Sequence, residues 1–578
     1  MTSVAASELL FDPNRYSGEQ FDEGSRQLLR DTIDWFESRG KVRLLADYHK
    51  KVFYQDFLDF AAEKGLFSTF LTPSRDADGK PFARWDTARI AALSEILGFY
   101  GLNYWYPWQV TILGLGPVWQ SGNDNARKRA AEALDAGAVG AFGLSEKEHG
   151  ADIYSSDMVL TPTADGGYTA TGGKYYIGNG NCARIVSVFG RIEGVEGPDQ
   201  YVFFLADSQR DEFEVVKNIV PSQMYVAEFR LQDYPVAAED ILHVGDEAFS
   251  AALNTVNIGK FNLCFGGIGM TTHSLYEAIT HAHNRILFGK PVTTFPHVRR
   301  QFVDAYTRLY AMRLFSDRAV DYFRTAGPDD RRYLLFNPIT KMKVTTEAQK
   351  SIALLADIVA AKGFETDSYL AVAKTDVDGL PKLEGTVAVN LALIAKFMPA
   401  YLFNPSDAYA DVPTRTDPGD DEFLFRQGPA RGLSKVQFHP WRPVYERSRH
   451  LPNVARFLEQ VEGLITLLTE ATPDANQQRD IDFGLALTEM FTLVVYGQLI
   501  LEQAAIVGVD DVLVDQIFDI LIRDFDAAAL DLYGKSSSSE AQQRIALDAI
   551  RKPVVDQERF DDILARVIAL SGAYEMRP

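Results

Sequence analysis

Four polar segments of this 578-residue chain carry residue types that could do chemistry. They are 144–152 (LSEKEHGAD), 171–180 (TGGKYYIGNG), 285–291 (RILFGKP) and 383–386 (LEGT). A carboxylate that apolar groups desolvate has a raised pKa, so Glu384 could serve as a general base near neutral pH. The Ser145 hydroxyl and nearby backbone amides could donate hydrogen bonds, and the planar fork of Arg285 suits phosphate oxygens.

Each segment also has a plainer interpretation when it is taken alone. A glutamate at the start of a helix is usually a favourable first-turn charge, and an arginine at a helix end is usually a solvated charge. The glycines of 171–180 could belong to an ordinary hairpin turn. The four segments together resemble the acyl-CoA dehydrogenase superfamily. Its usual motifs are Thr-Glu followed by four residues and Gly-Ser-Asp, then Asn-Gly-x-Lys-x-x-Ile-Thr-Asn-Gly, Arg-x-x-Phe-Gly and Tyr-Glu-Gly-Thr.

The resemblance implies an FAD-dependent oxidoreductase that acts on the CH–CH group of an acyl-CoA in fatty acid metabolism. Glu384 would abstract the α-proton of the thioester while hydride from the β-carbon passes to flavin N5, which gives the trans-2-enoyl-CoA. The thioester carbonyl would be held by the Glu384 amide and a flavin ribityl hydroxyl. Flavin N1, O2 and N5 need positioned donors because electron density accumulates there on reduction.

The resemblance also implies roles for individual residues. FAD contacts would come from Leu144, Ser145, Gly150, Ala151, Tyr176, Gly178, Arg285, Phe288, Asp357, Ala361 and Thr386. Substrate contacts would come from Trp105, Trp108, Ala151, Lys260, Leu383 and Gly385, although the two tryptophans could equally be core aromatics.

The sequence departs from the family pattern at several of these positions. Gly178 stands where the family has the threonine that faces N5, and Tyr176 replaces a flavin-shielding tryptophan. Asp357, Ala360 and Ala361 replace a glutamine and two glycines of a turn that touches the adenine half of FAD.

The elements that must position these residues follow from the hydrophobic period. The period is helical up to about residue 137, changes to two over 138–245 and then becomes helical again. We therefore expect an α+β fold with an N-terminal helical domain (1–137) and a central antiparallel β-barrel-like domain (138–245). A C-terminal helical bundle with the flavin and catalytic residues (246–403), a linker (404–429) and an additional C-terminal helical domain (430–578) should follow.

Composition limits the function classes. The net charge of −21 disfavours nucleic acid and anionic membrane surfaces. Two distant cysteines without ligand spacing predict neither a disulfide nor a metal site. Polar residues interrupt the most apolar window, 483–507, so we expect a buried helix rather than a membrane span. The N-terminus lacks a secretory pattern, which predicts a cytoplasmic protein.

Three functions stay open at this point. The first is a dehydrogenase that passes electrons to an electron-transferring flavoprotein. The second is an acyl-CoA oxidase that uses O₂, and the third is a non-catalytic flavin-binding or interaction protein of the same fold. Family members with similar helical extensions also lead us to expect a homodimer.

Overall fold

The structure is a computed structural model that describes residues 9–220, 226–409, 412–414, 418–428 and 432–578. The chain forms two compact units. The N-terminal unit comprises Ser17–Gly266, Thr416–Arg431 and Met576–Pro578, and the C-terminal unit comprises Met1–Tyr16, Gly267–Arg415 and Gly432–Glu575.

The N-terminal unit begins with seven helices in its described part. They are α1 (Glu23–Arg39), α2 (Lys41–His49), α3 (Gln55–Glu63), α4 (Leu66–Leu71), α5 (Thr87–Tyr100), α6 (Leu102–Gln120) and α7 (Asp124–Asp135). Side chains of Asp22, Asp86 and Asn123 cap α1, α5 and α7 by accepting from first-turn amides. Helix α6 is buried along nearly its whole length because it lies against α5 and the sheet.

Eight strands follow in the described part of this unit. They are β1 (Gly140–Gly143), β2 (Val159–Pro162), β3 (Tyr168–Gly178), β4 (Ile185–Ile192), β5 (Tyr201–Ala206), β6 (Phe213–Asn218), β7 (Val226–Val236) and β8 (Ile241–Val244). The strand order is β6-β7-β3-β2-β4-β5-β8, and β1 also pairs with β4. The long helix α8 (Asp246–Asn284) comes next. It approaches α5 so closely that a Cβ on Gly98 would lie 2.4 Å from the Gly266 carbonyl oxygen.

The expected antiparallel, barrel-like β-domain is wrong in two respects. Strands β1 and β2 both run parallel to β4, so the sheet is mixed. Its terminal strands β6 and β8 do not pair with each other within the described chain, so the sheet is open rather than a closed barrel. A period of two reports which side chains share a face, and it carries no information on strand direction or closure.

The C-terminal unit is helical apart from one short hairpin in its described residues. After α8 come β9 (Ile286–Leu287), β10 (Lys290–Pro291), α9 (Pro296–Arg324), α10 (Tyr333–Ile339), a π-helical turn (Thr340–Val344), α11 (Thr345–Val359), α12 (Tyr369–Val377), α13 (Val387–Ile394), α14 (Met398–Phe403), α15 (Arg442–Arg447), α16 (Pro452–Glu470), α17 (Ile481–Val507), α18 (Asp511–Gly534), α19 (Glu540–Asp548) and α20 (Gln557–Ile568). Helices α15 to α20 fall in the same compact unit as the bundle, so a separate additional domain is not confirmed.

Helix α17 is long and apolar enough to cross a membrane by length and composition alone. The bent pair Tyr369–Lys382 and Val387–Phe403 passes the same test when it is counted as one segment. Of the most apolar window in α17, 83% is buried inside the molecule. The buried side chains of Gln498 and Glu502 on this helix bond to each other and contact His439. This environment agrees with the prediction of a buried helix.

A buried ionic network ties the C-terminal helices to the bundle. The two terminal guanidinium nitrogens of Arg308 on α9, Nη1 and Nη2, donate to the Asp524 carboxylate on α18 at 2.8 and 2.9 Å. Lys343 of the π-helical turn reaches Glu347 at 2.8 Å and Asp524 at 3.2 Å, and Arg308 also contacts Glu347. Burial alone would raise the pKa of Glu347, but the charges of Arg308 and Lys343 lower it to about 2.

We expect the free energy of unfolding to decrease below about pH 4.3, the ordinary pKa of glutamate in an unfolded chain. The pKa of Glu502 is also lowered to about 2, because the contacts with His439 and Arg318 outweigh its burial. A folded-state pKa below the unfolded value gives stability that is present above the unfolded pKa. That stability is lost as the pH falls through the folded value.

Chemical denaturation at several pH values between about 5 and 2 would measure this loss. Glu347→Gln should make the pH dependence less steep because it removes one of the carboxylates whose pKa is lowered by folding. The exposed residue Glu196 provides the control, since Glu196→Gln should leave the slope unchanged. An equally steep slope in Glu347→Gln would contradict the assignment.

Candidate functional site

Glu384 lies in a strained turn between α12 and α13. Its backbone has φ 51°, and that of Gly385 has φ 90°. Both values are positive, and at such a φ a residue with a side chain is destabilised by about 1–2 kcal/mol. The Thr386 hydroxyl then caps α13 by accepting from the Val389 amide. Glu384 is half-buried and lies two residues before the N-cap of α13.

Two buried side chains from elsewhere in the C-terminal unit hold this turn. The ammonium of Lys341, in the π-helical turn, donates to the Pro381 carbonyl at 2.7 Å and to the Gly385 carbonyl. The side-chain amide of Asn390 donates to the carbonyls of Gly385 and Thr386, at 3.0 and 2.9 Å. Lys341 and Asn390 are both fully buried. The backbone on either side of Glu384 is therefore fixed by charged and polar donors.

In the N-terminal unit, the segment 144–146 is clamped against β3. The Lys174 ammonium donates to Glu146 at 2.7 Å and to the Leu144 carbonyl at 3.1 Å, and the Tyr175 amide donates to the Ser145 carbonyl at 2.9 Å. Burial would raise the pKa of Glu146, but the charge and hydrogen bonds of Lys174 bring it below the ordinary value. This ion pair fixes the loop that carries Ser145, while Gly150 and Ala151 further along it are exposed.

The end of β3 presents an exposed aromatic ring. Tyr176 lies in a β-bulge with φ 62°, and 63% of its surface is exposed. The side-chain amide of Asn179 donates to the carbonyls of Pro107 and Gly140, at 3.0 and 2.9 Å, which anchors the strand end to α6 and β1. The strained backbone of Tyr176, on an anchored strand end, makes this ring a candidate for a binding surface.

The 285–291 segment of the C-terminal unit forms a tight hairpin. Strands β9 and β10 pair through Leu287 and Lys290, and the two turn residues Phe288 and Gly289 have φ 50° and 74°. Two positive φ values are those of a type I′ turn. Phe288 at its tip is 94% exposed. Arg285 is half-buried where α8 meets the hairpin.

The positive charges of Arg285 and of Lys362 in the 360–364 turn both affect the pKa of His281. Burial lowers the pKa of His281, and the charges of Arg285 and Lys362 lower it further, while Glu277 and Glu365 act in the opposite direction.

The 360–364 turn is itself strained and exposed. Ala360 there has φ 60°, a conformation that favours glycine. Asp357 and Ala361 are exposed, and Phe364 is 75% exposed.

Trp105, Trp108 and Lys260 lie inside the N-terminal unit. Both indole rings are fully buried, and the Trp108 N–H donates to the Ser94 hydroxyl at 3.0 Å. Trp105 packs against Gly266 of α8, where a Cβ would lie 3.0 Å from the ring. Lys260 is 5% exposed on the same helix. This placement is what the core-aromatic alternative predicts for the two tryptophans, and their proposed substrate contact stays a prediction.

The sequence-predicted residues fall into two groups. Leu383, Glu384, Gly385 and Thr386 share one turn of the C-terminal unit, which also holds Arg285, Phe288, Asp357 and Ala361. The N-terminal unit holds Leu144, Ser145, Gly150, Ala151, Tyr176 and Gly178, together with Trp105, Trp108 and Lys260.

Comparison with known proteins shows which proteins this chain is similar to. The profile of the family described as "Acyl-CoA dehydrogenase, C-terminal domain" matches residues 247–398, the segment that carries Arg285 and Glu384. The chain is 24% identical over 351 residues to the short-chain specific acyl-CoA dehydrogenase of Megasphaera elsdenii, which is 59% of this chain and 89% of the relative. Both matches support the acyl-CoA dehydrogenase superfamily, which the four sequence motifs resemble.

Solved structures of the superfamily share the fold. An acyl-CoA dehydrogenase from Bacillus anthracis complexed with FAD superposes with a TM-score of 0.73 at 16% identity, covering 98% of this chain and 97% of its own. The butyryl-CoA dehydrogenase of Megasphaera elsdenii superposes with a TM-score of 0.59 at 21% identity, covering 65% of this chain and 97% of its own. The larger coverage of the first means that α15 to α20 have counterparts in that protein.

One departure from the superfamily pattern coincides with a close packing contact. A Cβ on Gly178 would lie 2.5 Å from Cγ1 of Val110 and 2.7 Å from Cε1 of Tyr106, both on α6. A threonine therefore cannot occupy this position unless the side chains of Val110 and Tyr106 shift. The absence of a side chain at position 178 is what allows this close approach.

Gly178→Ala should destabilise the N-terminal unit by about 1–3 kcal/mol, the usual cost of overpacking a close-packed contact. Gly173→Ala in the same strand is a matched control, since its Cβ would lie 3.7 Å from Cγ of Arg230 in ordinary contact. Thermal unfolding of both variants measures the difference. Equal stability of the two variants would mean that the side chains of α6 move away from position 178 at little cost in free energy.

Sequence reasoning missed Lys341, Asn390 and the pairing of Lys174 with Glu146. Lys174 and Glu146 were visible in the two quoted motifs, but nothing in their spacing of 28 residues indicates that they meet. The lysine pair in 340–344 (TKMKV), inside an otherwise apolar helical stretch, was a signal for buried ammonium groups.

Proposed function

We propose that this protein catalyses the FAD-dependent α,β-dehydrogenation of an acyl-CoA to the trans-2-enoyl-CoA. The observation that carries the proposal is the position of Glu384. It lies within the matched C-terminal domain, on a left-handed backbone directly before α13, and buried donors fix the carbonyls around it. Backbone strain that the surrounding structure maintains at a carboxylate-bearing residue is found often at catalytic positions.

Each unit, taken by itself, holds residues of a type that suits part of FAD. The exposed ring of Tyr176 and the clamped Ser145 segment suit the isoalloxazine, and Arg285 with the exposed turn at Ala361 suits the pyrophosphate and adenosine. Asp357 is the poorest fit, because a carboxylate replaces a neutral side chain. The FAD-complexed Bacillus anthracis dehydrogenase supports this cofactor. When bound, FAD would supply the hydride acceptor.

The residues of this chain have separate tasks in the proposed reaction. The Glu384 carboxylate takes the α-proton, and its backbone N–H holds the thioester carbonyl oxygen, which makes that proton acidic. Leu383 and Gly385 lie on either side of the base and contact the acyl chain of the substrate. Because the turn is fixed before substrate binds, the carboxylate does not have to be ordered in each catalytic cycle.

Cofactor content tests the proposal at its first step. The purified protein should be yellow, with the visible absorbance band of an oxidised flavin, or should become so when FAD is added. A colourless protein that cannot be reconstituted would contradict the proposal. It would instead support a non-catalytic role for this fold, which the altered residues Asp357 and Gly178 favour.

The electron acceptor is proposed to be an electron-transferring flavoprotein. The chain is 22% identical over 299 residues to a subunit named for a caffeyl-CoA reductase–Etf complex from Acetobacterium woodii. An oxidase would use the same base and flavin but would reduce O₂. Hydrogen peroxide formed in air during turnover with an acyl-CoA would identify the oxidase, and its absence would favour the flavoprotein.

We further propose that the protein is a homodimer in which the hairpin contacts the second subunit. The almost fully exposed Phe288, on a rigid two-residue turn beside Arg285, fits a protein or cofactor contact better than free solvent. Light scattering should give twice the chain mass. A monomer that binds FAD fully would contradict the proposal.

A further inference from the structure

The turn that carries Glu384 is held by a lysine that lies outside the four segments that resemble superfamily motifs. The side chain of Lys341 is fully buried, and its ammonium donates to the carbonyls of Pro381 and Gly385. These carbonyls lie three residues before and one residue after Glu384. A single cation thus fixes the backbone on both sides of the proposed base.

Lys341 reaches this position from an irregular helix. It lies in the π-helical turn Thr340–Val344, between α10 and α11. The ammonium of Lys343, in the same turn, donates instead to Glu347 and Asp524 of the buried ionic network. The π-helical turn therefore presents two buried ammonium groups, one to the backbone beside the proposed base and one to the buried ionic network. Widened helical turns of this kind occur often at functional sites.

We propose that Lys341 is a positioning residue for Glu384, and this inference rests on the proposed function. A glutamate with φ 51° returns readily to a right-handed conformation unless something holds it. Rotation of that backbone would redirect both the carboxylate and the N–H that holds the thioester carbonyl. Lys341 prevents the rotation by binding the carbonyls of the turn, so it acts on the reaction through Glu384 and does not touch the substrate.

The matched pair Lys341→Met and Lys343→Met separates positioning from general stability. Both substitutions remove a buried ammonium from the same turn and keep a long apolar chain. In Lys341→Met, the limiting rate of anaerobic flavin reduction by an acyl-CoA should fall by about 10- to 100-fold, while the half-saturating concentration changes by less than about threefold. In Lys343→Met, the melting temperature should fall while the limiting rate per bound flavin stays within about twofold. Equal limiting rates in the two variants would overturn the proposal.

Hydrogen exchange of the FAD-loaded protein tests the same idea without the reaction. Lys341→Met should speed exchange of the first-turn amides of α13, Val389 and Asn390, by about tenfold or more, and Lys343→Met should not. If no acyl-CoA reduces the wild-type flavin, the proposed function fails, yet unchanged exchange in Lys341→Met still overturns the positioning role separately. Should Lys341→Met not fold, Lys341→Gln, which replaces the ammonium by a shorter neutral donor, gives the same comparison against Lys343→Gln.

Discussion

Glu384→Gln should keep its FAD and lose reduction by acyl-CoA, with the limiting rate falling by about 10²- to 10⁴-fold. The amide has nearly the same size as the carboxylate, so the turn held by Lys341 and Asn390 should persist. An amide cannot accept the α-proton at neutral pH, and hydride transfer cannot proceed without that step. Stopped-flow absorbance under anaerobic conditions measures the rate directly.

Glu459→Gln is the matched control for this substitution. Glu459 is an exposed glutamate of the same unit, and it pairs with Arg551 at 2.8 Å. Its variant should reduce flavin at the wild-type rate. Undiminished reduction in Glu384→Gln would remove Glu384 as the base, even if the protein proved to be a dehydrogenase.

Asp524→Ala should lower the free energy of unfolding by about 3–5 kcal/mol. The carboxylate accepts two hydrogen bonds from Arg308 and one from Lys343, and its pKa lies well below the ordinary value because these charges outweigh burial. Without Asp524, the buried cations Arg308 and Lys343 would share the single carboxylate of Glu347 within this network. Urea unfolding monitored by circular dichroism measures the change.

An exposed ion pair of the same unit provides the comparison. Arg442 and Glu462 pair near the surface, with side chains 49% and 47% exposed. Glu462→Ala should therefore change the unfolding free energy by less than about 1 kcal/mol. If Asp524→Ala were as stable as Glu462→Ala, α18 would not be held to the bundle by this network.

Much of the fold could be predicted from the hydrophobic period. The change at about residue 138 corresponds to β1, which begins at Gly140, and the return to helix corresponds to α8 from Asp246. Strand direction could not be predicted. Strands β1 and β2 run parallel to β4, and the alternation of apolar and polar residues along a strand is the same for parallel and antiparallel pairing. The placement of α15 to α20 in the bundle's own unit depends on long-range contacts such as Arg308 with Asp524.

The motif segments could be recognised in the sequence, but the residues that support them could not. In the structure Glu384 lies in a turn, Tyr176 lies near the end of β3 and Phe288 lies at the tip of a hairpin. The residues that fix them come from distant parts of the sequence, as Lys341 does for Glu384. The glycine at position 178 could be read from the sequence, but its close packing against Val110 could be seen only in the structure.

The central claim is that this protein oxidises an acyl-CoA with a bound flavin and Glu384 as base. Anaerobic titration of the FAD-loaded protein with straight- and branched-chain acyl-CoAs of increasing length tests it most directly. At least one of them should bleach the flavin absorbance and yield the trans-2-enoyl-CoA. A flavin that dithionite reduces fully but that no acyl-CoA in the series reduces would contradict the claim.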